Sequence, residues 1–168
     1  MLRVIFDTNI YGFLFLEKDY ETLIKTINND KEFIVYGYEK VRKEIRDIPK
    51  TTKLSKKARI GILRVYDQVT GSHLLKNSLK INRLAKKYYD YYKREGGTYG
   101  WDTSIRIDFM IVACATIENL DLVYSEDKKT LLNKHALKSY NHINIKENLR
   151  TPNFLRYNDL LLKLRNLI

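Results

Sequence analysis

Short apolar runs alternate with longer helical segments along this chain, and this alternation restricts the possible folds most. Residues 2–6 form an apolar run with β-branched side chains that stops at Asp7, which predicts a buried strand. Further strands are predicted over residues 33–37 and 122–125, with helices between them. Strands that alternate with helices pair in parallel and carry helices on both faces. The sequence therefore predicts an α/β fold with a mostly parallel central sheet of four or five strands.

Helical spacing of apolar residues predicts the remaining elements. Ser55 is the expected N-cap of a helix that ends at residue 69. The stretch 74–81 also admits a short strand, and the last strand is predicted over residues 143–145. The other predicted helices span residues 20–29, 38–47, 81–94, 108–119, 130–135 and, as an amphipathic C-terminal helix, about 154–168.

The length and composition favour one globular domain. The 168 residues fit a single domain over 1–168, with no internal repeat and no low-complexity linker. The only cysteine, Cys114, lies in an apolar run and is expected to be a buried hydrophobic residue. No apolar run approaches the ~20 residues that span a bilayer, and an acid interrupts the apolar N-terminus. We expect a cytoplasmic protein without a membrane partner.

The charge is strongly positive and unevenly distributed. The net charge is +11 and the pI is near 9.6, which favours a polyanionic partner such as nucleic acid. Residues 38–64 hold ten Lys or Arg against three acids, and residues 76–94 hold seven against one. Residues 1–37 and 95–134 have net charges of −2 and −3. A fold that joins the two acidic stretches would create an acidic pocket with a basic rim.

Four acids are placed where parallel strands would bring them together. Asp7 directly follows the first strand, and Asp127 lies just past the strand at 122–125. Glu44 lies on the helix after the second strand, and Asp108 opens the helix that precedes the strand at 122–125. In open α/β sheets, sites form outside the carboxyl ends of the strands. The four carboxylates are therefore expected to meet at one edge of the sheet.

Each acid also has a simpler structural explanation. Asp7, Asp108 and Asp127 are all at positions where an aspartate commonly caps a helix or a turn. Glu44 belongs to a charged helix, where Glu39 and Asp47 are alternatives to it. The prediction of a site therefore depends on the whole set in its order, and on no single member.

The set in its order resembles the PIN-domain family. Residues 4–9 look like its opening strand, which ends in an Asp that is followed two places later by Asn, Ser or Thr. Residues 41–45 resemble its second motif, a helix with one key Glu. Residues 108–115 and 122–127 resemble its third and fourth motifs, an Asp that opens an apolar helix and a strand followed by a hydroxyl residue, any residue and Asp. The resemblance covers residues 2–145.

The resemblance implies a three-layer α/β/α domain of the PIN-like, Rossmann-like type. Its size is most similar to VapC-type toxins and their stand-alone archaeal relatives. The segment between Glu44 and Asp108 is longer than in the shortest toxins, and Ser125 stands where Thr is common. Both departures bear on the exact subfamily and on the toxin role, and they leave the four acids of the site unchanged.

The resemblance also implies an endoribonuclease that uses Mg²⁺ or Mn²⁺, with RNA as substrate. Asn9 would hold a carboxylate or a metal-bound water, and Ser125 would bond Asp7 or a phosphate oxygen. Hard divalent cations prefer such oxygen ligands. An antitoxin protein and a second copy of the chain, through the leucines of the C-terminal helix, are candidate partners. The implied metal site consists of Asp7, Asp108 and Asp127 as ligands and Glu44 as a ligand or as the residue that orients the attacking water.

The basic middle of the chain supplies candidate RNA contacts. Tyrosines interleave with cations over residues 86–94, which suits base stacking. On a helix, some of these rings must instead face the core, and this second interpretation is favoured. The candidate phosphate contacts are Lys40, Arg42, Lys43, Lys56, Lys57, Arg59, Lys86 and Lys87.

Two other function classes compete with a nuclease. The first is a catalytically silent PIN-like module that binds RNA or a protein without cleavage. The second is a phosphatase of the haloacid-dehalogenase kind, which resembles a pattern with a second Asp two places after the first. Asn9 occupies that place here, which argues against the phosphatase. A phosphate-binding loop of the form Gly-x-x-x-x-Gly-Lys is absent, which excludes a P-loop nucleotidase.

Overall fold

The sheet of this protein is parallel throughout. The structure is a computed structural model that describes residues 1–48, 53–101 and 105–168. Within these residues, neighbouring strands pair in parallel in the order β3-β2-β1-β4-β5. This confirms the predicted α/β class with a parallel sheet. The strands are β1 (Leu2–Phe6), β2 (Phe33–Tyr38), β3 (Leu74–Leu75), β4 (Leu122–Tyr124) and β5 (Asn153–Leu155).

Helices connect successive strands and form two layers. Right-handed crossovers place α1 to α4 on one face of the sheet, because the chain moves in one direction from β1 to β3. It then returns to β4 and β5, which places α5 to α7 on the other face. The helices are α1 (Thr8–Leu16), α2 (Tyr20–Asn29), α3 (Glu39–Arg46), α4 (Lys53–Thr70), α5 (Leu79–Arg94), α6 (Ile105–Ile117), α7 (Lys134–Lys146) and α8 (Tyr157–Arg165).

The core is centred on β1 and α6. Val4, Ile5 and Phe6 are fully buried, since β1 is the middle strand and has helices on both faces. In α6, every residue from Asp108 to Thr116 is buried, including Cys114, as expected from its apolar run. Among the described residues, no helix has both the length and the apolar character needed to cross a membrane.

Helix α1 was not predicted from the sequence. Residues 10–16 are apolar almost throughout, so no polar face marks a helical period. The start signal is Asp7, the N-cap of α1, whose carboxylate accepts the N–H of Thr8. The residues directly after β1 therefore form the first turn of a helix.

The C-terminal part also differs from the prediction. Residues 143–145 lie in α7 and not in a strand, because Tyr140, Ile143 and Asn144 point into the core at helical spacing. The last strand is β5, so the C-terminal helix begins at Tyr157 and not near residue 154. Residues 128–132 form turns before α7, and the short helix predicted over 130–135 is wrong.

Three helix starts were misplaced. Helix α4 begins at Lys53, so Ser55 lies inside its first turn and is not the N-cap. Helix α5 begins two residues before residue 81, and Ser78 is its N-cap. Helix α6 begins at Ile105, so Asp108 lies in its first turn and does not open it.

Gly37 allows α4 to approach β2 closely. A Cβ atom at Gly37 would lie 2.4 Å from the Tyr66 hydroxyl and 2.9 Å from a Thr70 methyl group, both on buried side chains. We expect Gly37→Ala to lower the free energy of unfolding by about 1–3 kcal/mol, the usual range for overpacking. Gly12→Ala is the control, because nothing lies within 4 Å of its added Cβ. Denaturant unfolding that finds equal effects for both would contradict this packing constraint.

Candidate functional site

The site begins where β1 and β4 end next to each other. Phe6 pairs with Tyr124, so the residues that follow the two strands are neighbours. The N–H of Asp7 donates to the Tyr124 carbonyl at 2.9 Å, and the Ser125 hydroxyl donates to the Asp7 carboxylate at 2.7 Å. Asp7 is only 4% exposed. Strand pairing and one hydroxyl therefore fix this carboxylate.

Asn9 and Ser125 connect Asp7 with the segment after β4. The Asn9 side-chain amide donates to the Asp7 carboxylate, and its carbonyl oxygen accepts the N–H of Glu126 at 3.2 Å. The Ser125 hydroxyl oxygen accepts the N–H of Asp127 at 3.0 Å. Asn9 and Ser125 therefore lie where the sequence analysis expected them, beside the carboxylate of Asp7.

Thr130 joins the other two aspartates. The Asp127 carboxylate accepts the N–H groups of Lys129 and Thr130 at 2.8 and 2.9 Å. The Thr130 hydroxyl lies 2.6 Å from the other oxygen of Asp127 and also contacts the carboxyl group of Asp108. A hydroxyl has one hydrogen, so it cannot donate to two carboxylates at once. Both contacts are satisfied if Asp108 carries a proton and donates it to Thr130, which then donates to Asp127.

Glu44 completes the cluster from α3. Its carboxylate accepts a hydrogen bond from the Thr8 hydroxyl, which belongs to the first turn of α1. Glu44 is half-buried, whereas Asp7 and Asp108 are almost fully buried. The alternatives make other contacts, since Glu39 accepts the N–H of Asn77 and Asp47 is near Arg46. The structure therefore brings Glu44, and neither of its alternatives, to the three aspartates.

The four acids interact electrostatically. Burial raises the pKa of Asp7 to about 6, with further upward contributions from Glu44 and Asp127, although hydrogen bonds from Ser125 and Thr8 oppose them. Burial also raises the pKa of Asp108 well above its usual range, and the charges of Asp7, Asp127 and Glu44 add to this. The pKa of Glu44 is raised by burial and then by Asp127, against the Thr8 hydrogen bond. Like charges therefore share a poorly solvated space.

The acids of this cluster are of the right chemical type to bind a metal ion, but their side chains are not arranged around a common position. Carboxylate oxygens are the ligands that Mg²⁺ and Mn²⁺ prefer, and four of them are available. However, no three His, Cys, Asp or Glu side chains of the described residues stand where they could hold one ion. In this arrangement each carboxyl group is bound to a hydroxyl. Metal binding by these acids stays a prediction.

The candidate RNA-binding cations are scattered, and several are engaged in other contacts. Arg42 pairs with Asp67, Lys86 with Asp90, and Lys87 with Glu147. Arg59 donates to the carbonyl of Arg46, at the end of α3. Lys56 is exposed on α4, and Lys57 lines a cavity between α2 and α4. Only two of the eight, Lys40 and Lys43, line a groove that also contains Glu44.

The tyrosine-rich part of α5 mainly builds the core. Tyr88 and Tyr92 are buried, while Tyr89 and Tyr91 are half-buried. Tyr89 also packs on Trp101, with ring centroids 4.9 Å apart. The interpretation of this segment as mixed core and surface therefore fits better than a stacking platform, and Trp101 anchors its loop.

Two hydroxyl residues of the site were missed by the sequence analysis. Thr8 and Thr130 each contact a carboxyl group of the cluster, yet threonine carries no motif of its own. The available signal was their position, directly after Asp7 and three residues after Asp127. At such positions a hydroxyl can reach a neighbouring acid or cap a turn.

Comparisons with known proteins give a fold but no family. No protein-family model matches this chain, and no curated protein matches it. Among solved structures, the chain is similar to the crystal structure of VapBC2 from Rickettsia felis bound to a DNA fragment from their promoter. The TM-score is 0.59 at 13% identity, over 92% of this chain and 98% of that one. At this identity the likeness shows a PIN-like α/β fold and nothing about activity.

The raised pKa of Asp7 predicts a pH-dependent cost to stability. The folded protein holds the Asp7 proton more tightly than the unfolded chain, whose pKa is near 3.8. Stability is therefore lost as the pH rises from about 4 to about 6. Residue 7 does not titrate in Asp7→Asn, so this variant should not show the loss. Between pH 4 and pH 6, the wild type should therefore lose about 1–3 kcal/mol of unfolding free energy relative to the variant, at ~1.4 kcal/mol per pKa unit. Parallel pH profiles, measured by denaturant unfolding in chelator, would contradict this.

The contacts of Thr130 predict that its hydroxyl matters more than an ordinary buried one. Thr130→Val should lower the free energy of unfolding by about 1.5–3 kcal/mol, because the hydrogen bond to the Asp127 carboxylate and the contact with the Asp108 carboxyl group are lost. Thr70→Val is the matched control, since Thr70 is also 3% exposed and donates only to the Tyr66 carbonyl. It should cost about 0.5–1.5 kcal/mol. Thr130→Ser should restore most of the loss, and equal losses for the two valine variants would refute the assignment.

Proposed function

We propose that this protein is a metal-dependent endoribonuclease that hydrolyses phosphodiester bonds of RNA. Asp7, Glu44, Asp108 and Asp127 would hold Mg²⁺ or Mn²⁺. The observation that carries the proposal is the convergence of four carboxyl groups from four separate segments. Asp7 and Asp108 are buried, and the pKa values of Asp7, Glu44 and Asp108 are raised. Such crowding costs folding free energy, and a divalent cation would offset it. The PIN-like fold supports the same proposal.

The chain's own residues would divide the work at the site. A bound divalent cation would activate a water and stabilise negative charge at the scissile phosphate. Asn9 and Ser125 hold the Asp7 carboxylate, and Thr130 holds Asp108 and Asp127. Glu44 is half-buried and is the one of the four acids that lines the adjacent groove. It is therefore the acid best placed to orient a water that enters from solvent.

We further propose that the protein is the toxin of a toxin–antitoxin pair. The similarity to a VapBC2 structure supports this proposal over nearly the whole of both chains. An antitoxin protein would then be a partner of this chain. A second copy of the chain is another candidate partner, although no described contact favours it.

A catalytically silent binding module is the second candidate function. It is favoured by one observation, that no three acidic side chains of the described residues are arranged to hold an ion. Under this alternative, the hydroxyl bonds and a proton on Asp108 are the final state of the cluster. Metal binding therefore separates the two candidates.

Cleavage of RNA should depend on the acids of the cluster. Asp7→Asn and Asp127→Asn should each lower the cleavage rate by at least ~100-fold, since loss of a metal ligand or its positioning costs activity of that order. Asp90→Asn is the control, because this acid is exposed on α5 and pairs only with Lys86. The assay is cleavage of a mixed RNA pool with Mg²⁺, Mn²⁺ or chelator. Full activity of folded Asp7→Asn would refute the site.

Thermal unfolding then tests for the silent module. Mg²⁺ or Mn²⁺ should raise the melting temperature of the wild type. At a metal concentration of a hundred times the dissociation constant, binding stabilises the folded protein by ~2.7 kcal/mol. The double variant Asp7→Asn, Asp108→Asn should not respond. An equal rise in both proteins would mean that these acids are not the metal ligands, whereas no rise and no cleavage in the wild type would favour the silent module.

A further inference from the structure

A groove of about 370 Å³ opens beside the acid cluster. Helix α3 contributes Lys40, Lys43 and Glu44 to its lining, and Asp47 closes that side. Helix α6 contributes Arg106 and the apolar side chains of Ile107 and Met110. Glu44 belongs both to this lining and to the cluster, so the groove borders the cluster at Glu44.

The cations of this groove differ from those surface cations that are paired with acids. Arg42 binds both oxygens of Asp67, and Lys86 and Lys87 have carboxylate partners. In contrast, neither Lys43 nor Arg106 forms an ion pair with another described residue, and the same holds for Lys40. Both Lys43 and Arg106 are exposed. The contact of Arg106 is with the ring of Trp101, at 5.8 Å from the centroid. These charges are therefore available to an anionic ligand.

Helix α6 carries a positive and a negative side chain two residues apart, and the two lie on different sides of the helix. Arg106 is exposed to the groove, whereas Asp108, two residues later, is buried in the cluster. Residues two apart on a helix do not face the same way. A polyanion along the groove would therefore meet cations while one of its phosphates approaches the carboxyl groups.

We propose that this groove binds the sugar–phosphate backbone of the nucleic-acid strand, with Arg106 and Lys43 as its main phosphate contacts. Lys40 supports them from one turn earlier in α3, and Ile107 and Met110 offer an apolar surface to a sugar or a base. Arg106 is the new assignment, because it lies outside every motif that the sequence analysis identified. The identity of the polymer rests on the proposed function, whereas the position of the groove does not.

Binding must be measured without cleavage, so all variants carry Asp7→Asn. Lys43→Gln with Arg106→Gln removes two exposed charges from the groove. The matched control is Lys31→Gln with Lys146→Gln, which also removes two exposed charges. These two residues lie on the side of the amino ends of the strands, since Lys31 precedes β2 and Lys146 ends α7, which leads to β5. The probe is a fluorescein-labelled single-stranded RNA, and its affinity is measured by anisotropy at several salt concentrations.

The groove variant should bind about tenfold more weakly than its parent at moderate salt. Its salt slope should be flatter by about 1.4, which is ~0.7 for each of two lost phosphate contacts. The control should stay within about twofold with a parallel slope. Equal affinities and slopes for the two double variants would overturn the proposal, provided that both melt like the parent.

A parallel assay with Asp7 intact separates failure of the groove from failure of the nuclease. Arg106→Gln alone should raise KM for RNA with little change in kcat, as expected when uniform substrate binding is lost. If the wild type cleaves nothing but the groove double variant loses RNA binding, the groove stands and the nuclease fails. If Asp7→Asn abolishes cleavage but the groove and control variants bind alike, the nuclease stands and the groove fails.

Discussion

The parallel pairing of β1 with β4 is the constraint on which the rest of the site depends. It joins two segments that are about 118 residues apart in the chain, and its register sets Phe6 beside Tyr124. The residues after both strands then emerge at the same edge of the sheet, where Ser125 can reach Asp7. A shift of this register by one residue would turn Asp7 to the opposite face of the sheet. The position of the first carboxylate therefore follows from the packing of two apolar strands.

Once the strands have placed them, the acids are held by hydroxyl groups. Ser125 serves Asp7, Thr8 serves Glu44, and Thr130 serves the remaining two. Each hydroxyl supplies a hydrogen to a group that burial has removed from water, and this offsets part of the desolvation cost. Repulsion among the acids is not removed in this way, as the raised pKa values of Asp7 and Asp108 show. A proton or a cation must supply the missing positive charge. In the proposed nuclease it is a metal cation, and in the silent module it is a proton.

The sequence was sufficient to predict β1, β2 and β4 and the parallel sheet, and it places the four acids close to these strands, because both depend on strong local patterns. Apolar runs that end at a polar residue mark β1 and β4, and Asp7 and Asp127 follow them at short distance. Helix α1 was missed because burial on nearly all sides removes the amphipathic pattern. Residues 143–145 were taken for a strand because β-branched residues also suit a buried helix face. Thr8 and Thr130 were missed because their role comes from contacts across the fold, which no local pattern records.

The positive charge of the chain acquires a clearer meaning once its contacts are known. Composition gives +11, and sequence position concentrates this excess in two stretches. In the fold, however, several of those cations are neutralised by acids, such as Arg42 by Asp67 and Lys87 by Glu147. Exposed ion pairs of this kind contribute little to stability, but they lower the charge that a ligand encounters. What would attract a polyanion to one place is therefore the position of the unpaired cations. The groove between α3 and α6 holds Lys43 and Arg106, which have no acidic partner among the described residues, beside the carboxyl groups that would act on the bound strand.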